Sequence, residues 1–560
     1  MKITNINLTL ILKEKGEKNM KRILALALTL AMVLSVCLFA GCGDTPDETT
    51  TASSTPAETT GKTETTTADS TPAESTPAYT TTSDTVKADG TTTAGGTEPE
   101  DTTAITDTDP IGGTELEGFN GYTKLPGFED IDFGGRVFTF AMMTDDGSNG
   151  GNSKDIYSDE TDAIATSIRE RNNVVEKLYN CSIAYNFSES PGTLVASEVS
   201  GNMHTIDIYA QQYSSSAIYT ADQAYNLYSL GIDFENPWWD QAYVSTYTFD
   251  KNGMPAMYGA MGDFNRSAFG STYILFYNLD LYKQSKVCQQ YDIYQLVRDK
   301  KWTMDIFVEM IKDVKFDANG NSSYSYADGD IMGWVRTGHA THAMHVASNM
   351  RIVDTVDGRF TFSPATNPAA WSNVIDIAIG VWNTEGAQTM SYSQIPDYFA
   401  SDKALFVSEV LSTIENMKDM DVSIGLVPYP LYSETQADYC NYVDNHMSPY
   451  HIPISVPDPE TVATFFELFA CHSTYIVRPA IIDSYTVEFL GDEESGEMLD
   501  LISGHRTYDP GYLWWSAYET DIGNMISGGK NTITQWVGRK GSAISNTFNE
   551  FITGILDNEN

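Results

Sequence analysis

Four stretches of the sequence set aromatic rings close to amide, carboxylate or guanidinium groups. Gln211, Gln212 and Tyr213 follow the apolar run IDIYA, and Asp263, Asn265 and Arg266 stand together in GDFNRS. Trp514 and Trp515 are adjacent in GYLWWSAY, and Trp334 lies in GDIMGWVRTGHATH. A flat aromatic face can cover the apolar C–H side of a sugar ring, while these polar groups can pair its hydroxyls. Burying an unpaired hydroxyl or acceptor costs roughly 1–3 kcal/mol, so a sugar site needs both kinds of residue together. Ordinary packing is the competing reading for each residue.

Two further constellations resemble metal sites. His339, His342 and His345 in GHATHAMH step by three residues, so on a helix they drift around the cylinder, and no fourth ligand is suggested. The segment is read as a helix start. In DANGNSSYSYAD, Asp317, Asn319, Asn321, Ser325 and Asp328 fall at the liganding steps of a calcium loop. Ser322 occupies the step that needs glycine, and only two of the ligands carry charge, so the loop is read as a calcium-site remnant. No metal or cofactor is expected.

The elements that must carry these residues show in the hydrophobic pattern. GGRVFTFAMM (134–143), CSIAYNF (181–187) and IDIYAQQ (206–212) are expected as strands. Between the first two, Asp162 to Tyr179 is expected as a helix, with Ile164, Ile168, Val174, Val175 and Leu178 on one side. This order predicts an α/β fold with a largely parallel sheet.

Ahead of these elements the composition divides the chain. Lys21 and Arg22 precede an unbroken apolar run from Ile23 to Phe39, the layout of a secretory signal peptide over 20–41. Its end, LFAGC, resembles the lipobox of bacterial lipoproteins, which makes Cys42 the expected lipidation site and anchors the protein to the outer face of the cell membrane. Residues 1–19 are expected to lie upstream of the true start at Met20. Residues 42–115 are rich in Thr, Ser, Pro and acidic residues, with the ragged repeats STPAET, STPAES and STPAYT, and are expected to be a disordered tether. The net charge of −43 disfavours nucleic acid as a partner. Cys181, Cys288, Cys440 and Cys471 form no CxxC pair and predict no particular disulfide.

Within 116–560, a series of motifs in order resembles one family, the extracellular carbohydrate-type solute-binding proteins of bacterial ABC importers, to which maltose-binding protein belongs. The motifs include DFGGRVFTFA (132–141), NPWWDQ before KNGMPAMYGAMGDF (251–264), STYILFYNLDLYKQ (271–284) and QLVRDKKWTMDIFVEMIKDV (295–314). FASDKALFVSEVL (399–411), DVSIGLVPYPLYSETQADY (421–439) and DEESGEMLDLI (492–502) complete the series. The resemblance implies a two-lobed, periplasmic-binding-protein-like fold with crossing hinge strands and a ligand cleft between the lobes. It places lobe 1 at about 116–275 plus about 396–480, and lobe 2 at about 276–395 plus about 481–560.

On function, the resemblance implies a monomeric, non-catalytic protein that captures a ligand, expected to be an oligosaccharide, and delivers it to an ABC permease. It matches the Gln211–Tyr213 loop to the first-lobe ligand loop, and Trp514–Trp515 to a second-lobe region that supplies stacking rings. The pair Trp238–Trp239 in NPWWD is expected to be framework, wedged between a helix and a hairpin. A surface glycan hydrolase, and a sensor or adhesin with the same fold, are the alternatives.

Overall fold

The structure is a computed structural model that describes residues 119–144, 152–211, 222–417, 421–490 and 493–556. The expected signal peptide, Cys42 and the tether lie outside the described residues, as do Gln212 and Tyr213. Among the described residues no helix is long and apolar enough to cross a membrane.

The strands that frame the molecule are, in chain order, β1 (Arg136–Met142), β2 (Cys181–Phe187), β3 (Ile208–Ala210), β4 (Tyr273–Asn278), β5 (Met332–Arg336), β6 (Ala387–Thr389), β7 (Ala404–Val410), β8 (Ile424–Val427) and β9 (Tyr450–His451). They form two sheets, ordered β9-β3-β1-β2 and β6-β5-β7-β4-β8. The fold is therefore α/β, with one sheet in each of two lobes.

In the first sheet β1 lies between two parallel neighbours, with Arg136 opposite Cys181 and Phe140 opposite Ile208. Phe138, Phe140 and Met142 on one face are fully buried, and on the other face Ala141 is buried while Val137 is exposed. The helix between β1 and β2, Ala163–Leu178, starts where the Asp162 carboxylate accepts the Ala165 N–H at 2.8 Å. Its inner face buries Ile164, Ile168, Val174, Val175 and Leu178, the set expected from spacing. That face packs on the long helix Pro459–Asp483. Arg171 is buried between the two helices, donating to Ser473 Oγ at 2.7 Å with its guanidinium 3.9 Å from the Phe469 ring centre.

The second sheet is mixed. β7 runs parallel to β5, with Ser408 opposite Arg336, and antiparallel to β4, with Phe406 opposite Tyr277. β4 also pairs antiparallel with β8. Gly425 permits that pairing, because a Cβ there would come within 2.4 Å of the Tyr277 ring. β7 and β8 were expected in lobe 1, from about residue 396; they belong instead to the five-stranded sheet. The chain returns to the first sheet only at β9, where Tyr450 pairs with Ala210. The reason is non-local: a strand's lobe is set by the partners it finds, which a string such as ALFVSEV does not name.

The NPWWD corner is framework. Trp239 is 2% exposed and packs edge-on to Phe466 at 5.2 Å, next to Phe234 and Phe264. Asp240 caps the following helix through Tyr243 N–H and also takes the Tyr508 hydroxyl at 2.6 Å. Trp238 is half-buried against the same core.

Candidate functional site

A cavity of about 280 Å³ opens between the two sheets. On the first side it is walled by Asn152, Lys154 and Asp155, which follow the carboxyl end of β1, and by Arg266 to Ser271, which lead into β4. On the other side stand Thr337 and His339, just past the carboxyl end of β5, and Glu409 at the end of β7. Asp444 and His446, on the segment returning to β9, complete it, with Tyr273, Tyr392 and Tyr485. A crevice beyond the carboxyl ends of parallel strands is where open α/β sheets bind ligands.

Asp155 organises the first wall. Its carboxylate accepts Ser267 N–H and Ser267 Oγ–H at 2.7 Å each, and Tyr450 Oη–H at 3.2 Å. Burial pushes its carboxyl up to about 6 against these hydrogen bonds, which favour the charged form. Beside it, Arg266 Nη2 donates to both oxygens of Glu415 at 3.1 Å, and Tyr485 donates to the same carboxylate at 2.7 Å. Burial works to lower the Arg266 pKa, but Glu415 outweighs it and holds the guanidinium above its ordinary value.

Other atoms of the wall have no such partner. Asn152 Nδ2, Arg266 Nη1, Thr337 Oγ1 and Glu409 Oε1 are buried and make no hydrogen bond among the described residues. Two are donors, one is an acceptor, and the Thr337 hydroxyl can be either. Burial, with Asp444 adding to it, pushes the Glu409 carboxyl up to about 8. His446 contacts Asp444; burial lowers its pKa, and Asp444 more than reverses the effect.

Of the residues singled out by sequence, Arg266 lines this cavity. Gln211 accepts Gly192 N–H at 2.7 Å and so holds the start of the helix Pro191–Gly201. Asp263 accepts Thr474 Oγ–H at 2.8 Å and faces Arg478 at 3.7 Å. Asn265 accepts Gly262 N–H and donates to Ser448 O at 3.0 Å, tying the first wall together from behind. Trp334 is fully buried in the second sheet, donating to Ser408 Oγ at 2.7 Å with Arg336 across its ring. Trp514 and Trp515 are half-buried in an aromatic cluster with Phe360, Phe548 and Phe551, and they are not among the residues that line the cavity. The residues that sequence reasoning missed include Glu409 and Asp155. Glu409 did leave a signal, a single carboxylate inside the apolar strand ALFVSEV.

Two motifs resolve as internal hydrogen-bonded units. His345 Nδ1 donates to Met350 O at 2.6 Å, and its Nε2 meets His342 Nδ1 at 2.9 Å. His342 Nε2 stands 3.6 Å from Asp509, which accepts backbone N–H groups from Ile352, Val353 and Gly511. One ligand atom from each of His342, His345 and Asp509 lies within 4.8 Å of the others, but hydrogen bonds within the protein already occupy most of their lone pairs and protons. In the calcium-like loop, Asp317 accepts Gly320 N–H and Ser322 N–H, and Asn321 Nδ2 donates to Asp328 at 3.1 Å.

No protein-family model matches the chain, and no curated protein matches it. Solved structures do. UspC of M. tuberculosis is 14% identical over 73% of this chain and 99% of its own, with a TM-score of 0.48. An ABC substrate-binding protein of Listeria monocytogenes, in complex with cycloalternan, is 12% identical over 74% and 99%, with a TM-score of 0.45. The GacH receptor of Streptomyces glaucescens, solved unliganded and with acarbose, is 12% identical over 76% and 99%, with a TM-score of 0.42. At these scores the likeness carries no weight for function, which rests on the cleft itself.

Proposed function

We propose that this chain is a solute-binding protein that captures an oligosaccharide between its lobes and delivers it to an ABC permease, held at the outer membrane face by lipidated Cys42. One observation carries the capture step. The cleft wall buries donors and acceptors that the protein leaves unpaired, at Asn152, Arg266, Thr337 and Glu409, and a polyhydroxylated ligand can pair donors and acceptors alike. Tyr273, Tyr392 and Tyr485 add rings to the same wall. The permease rests on the motifs that resemble importer binding proteins, and the anchor on the resemblance of LFAGC to a lipobox.

The test is a melting-temperature screen of the purified protein against oligosaccharides, amino acids and peptides. A ligand present at a hundredfold its Kd should stabilise the fold by about 2.7 kcal/mol. Oligosaccharides alone should do so, and a screen in which amino acids or peptides act instead overturns the sugar assignment. Turnover of any polysaccharide by the same sample overturns the non-catalytic reading. Mass spectrometry of the membrane-extracted protein should show a diacylglyceryl adduct that Cys42→Ser loses.

A further inference from the structure

Charge in the cleft is unevenly spent. Arg266 is engaged by Glu415, Lys154 meets Glu160 at 3.2 Å, Asp155 is held by Ser267 and Tyr450, and Asp444 takes His446. Glu409 stands apart. It is 2% exposed, it lines the cavity, and its Oε1 has no hydrogen-bond partner among the described residues. The charged group that acts on it most is another carboxylate, Asp444. The parallel pairing of β5 and β7, with Ser408 opposite Arg336, brings the buried Thr337 alongside Glu409, where its hydroxyl and the Val410 N–H act on the carboxyl while Oε1 stays without a hydrogen bond.

A buried carboxyl with no cation among the groups that act on it is costly to ionise, and its presence in a cleft points to a partner that arrives from solution. A neutral hydroxyl would answer one lone pair of Glu409 but would offer no positive charge to hold its carboxyl in the ionised form. A protonated amine supplies three N–H donors and the missing positive charge at one point. We propose that the oligosaccharide bears a protonated amino group, and that this ammonium binds between Glu409, Asp444 and the Thr337 hydroxyl. The inference rests on the sugar-binding function proposed above and narrows it to amino-bearing glycans.

The experiment is calorimetric titration of the whole protein, near neutral pH and at physiological salt. The probes are fully deacetylated glucosamine oligomers, their N-acetylated counterparts and malto-oligosaccharides. The deacetylated oligomers should bind at least about tenfold tighter than the N-acetylated ones, the range expected for one charge-assisted hydrogen-bonded contact. Glu409→Gln should erase that preference, bringing the affinity ratio of deacetylated to N-acetylated oligomers to about one. The net charge of −43 draws any polycation weakly, but Glu409→Gln removes one charge only, so loss of the preference in that variant separates the site from the general field. If N-acetylated or malto-oligosaccharides bind as tightly as the deacetylated ones, or if the preference survives Glu409→Gln in a variant that melts cooperatively, the amine assignment is wrong and sugar capture stands. If no oligosaccharide in any arm binds, sugar capture fails and the inference fails with it.

Discussion

The chain of His342, His345 and Asp509 and the wall of the cleft lie close in sequence, since His339 and Thr337 of the wall directly precede the helix Ala340–Ala347 that carries the two histidines. Both bury polar groups in a protein interior. In the first, the groups are mostly spent on one another and on backbone: Met350 O takes His345, His345 takes His342, and Asp509 gathers three N–H groups, with His342 Nε2 left over 3.6 Å from Asp509. In the second, Glu409, Thr337, Asn152 and Arg266 each keep an atom in reserve. The residue types overlap, so residue type does not distinguish framework from site. What distinguishes them is how far the protein itself completes the hydrogen bonds, with one atom left over in the first set and four in the second.

The contrast can be broken most directly at Asp509. Asp509→Ala should remove about 3–5 kcal/mol of stability in urea unfolding, because it strands three buried N–H groups, and it should leave ligand affinity unchanged if the variant is assayed while folded. A loss below about 1 kcal/mol would put Asp509 with the reserve groups instead. Trp239→Ala tests the framework side at an apolar position: it should cost about 3 kcal/mol through the cavity it leaves, while Trp238→Ala at the half-buried neighbour should cost less. Neither should change ligand selectivity, and weakened binding at unchanged stability would reverse that assignment.

Glu409→Gln should act in the opposite direction and by less. Burial raises the Glu409 carboxyl to about 8, so the folded protein holds this proton more tightly than the unfolded chain does. Its stabilising effect is complete below about pH 4, where both states are protonated, and is lost as pH climbs toward 8. The variant should therefore match the wild type near pH 4 and be more stable by about 1–2 kcal/mol near pH 8. Parallel melting curves across that range check it. Identical pH profiles would show that Glu409 is already satisfied in the free protein.

Much of the fold was legible in the sequence, because its signals are local. The strand–helix–strand–strand series near the start of the folded part appears as Arg136–Met142, Ala163–Leu178, Cys181–Phe187 and Ile208–Ala210, within a few residues of the expected spans. Lobe membership was less legible, since Ala404–Val410 is assigned by partners more than a hundred residues upstream at Tyr273–Asn278. The cleft was least legible. MGWVR is buried at all five positions, so no alternation tells which way Trp334 faces, and a tryptophan in such a run advertises a flat ring without saying what covers it. Trp514 and Trp515 are covered by Phe548 and Phe551, from a helix that begins about twenty residues further on. Arg266 was legible because it sits in a short polar segment leading into the crossing strand.

Asp155 also gathers separate parts of the chain at one point. One carboxylate fastens residues 152–155 to Ser267 on the outgoing crossing and to Tyr450 on the returning one, and Asn265 bolts those two crossings together through Ser448. The first wall is thus assembled from three distant parts of the chain that one carboxylate and one amide hold together. Just beyond it Thr272 and Val443 run side by side as an isolated bridge, outside that set of side-chain bonds.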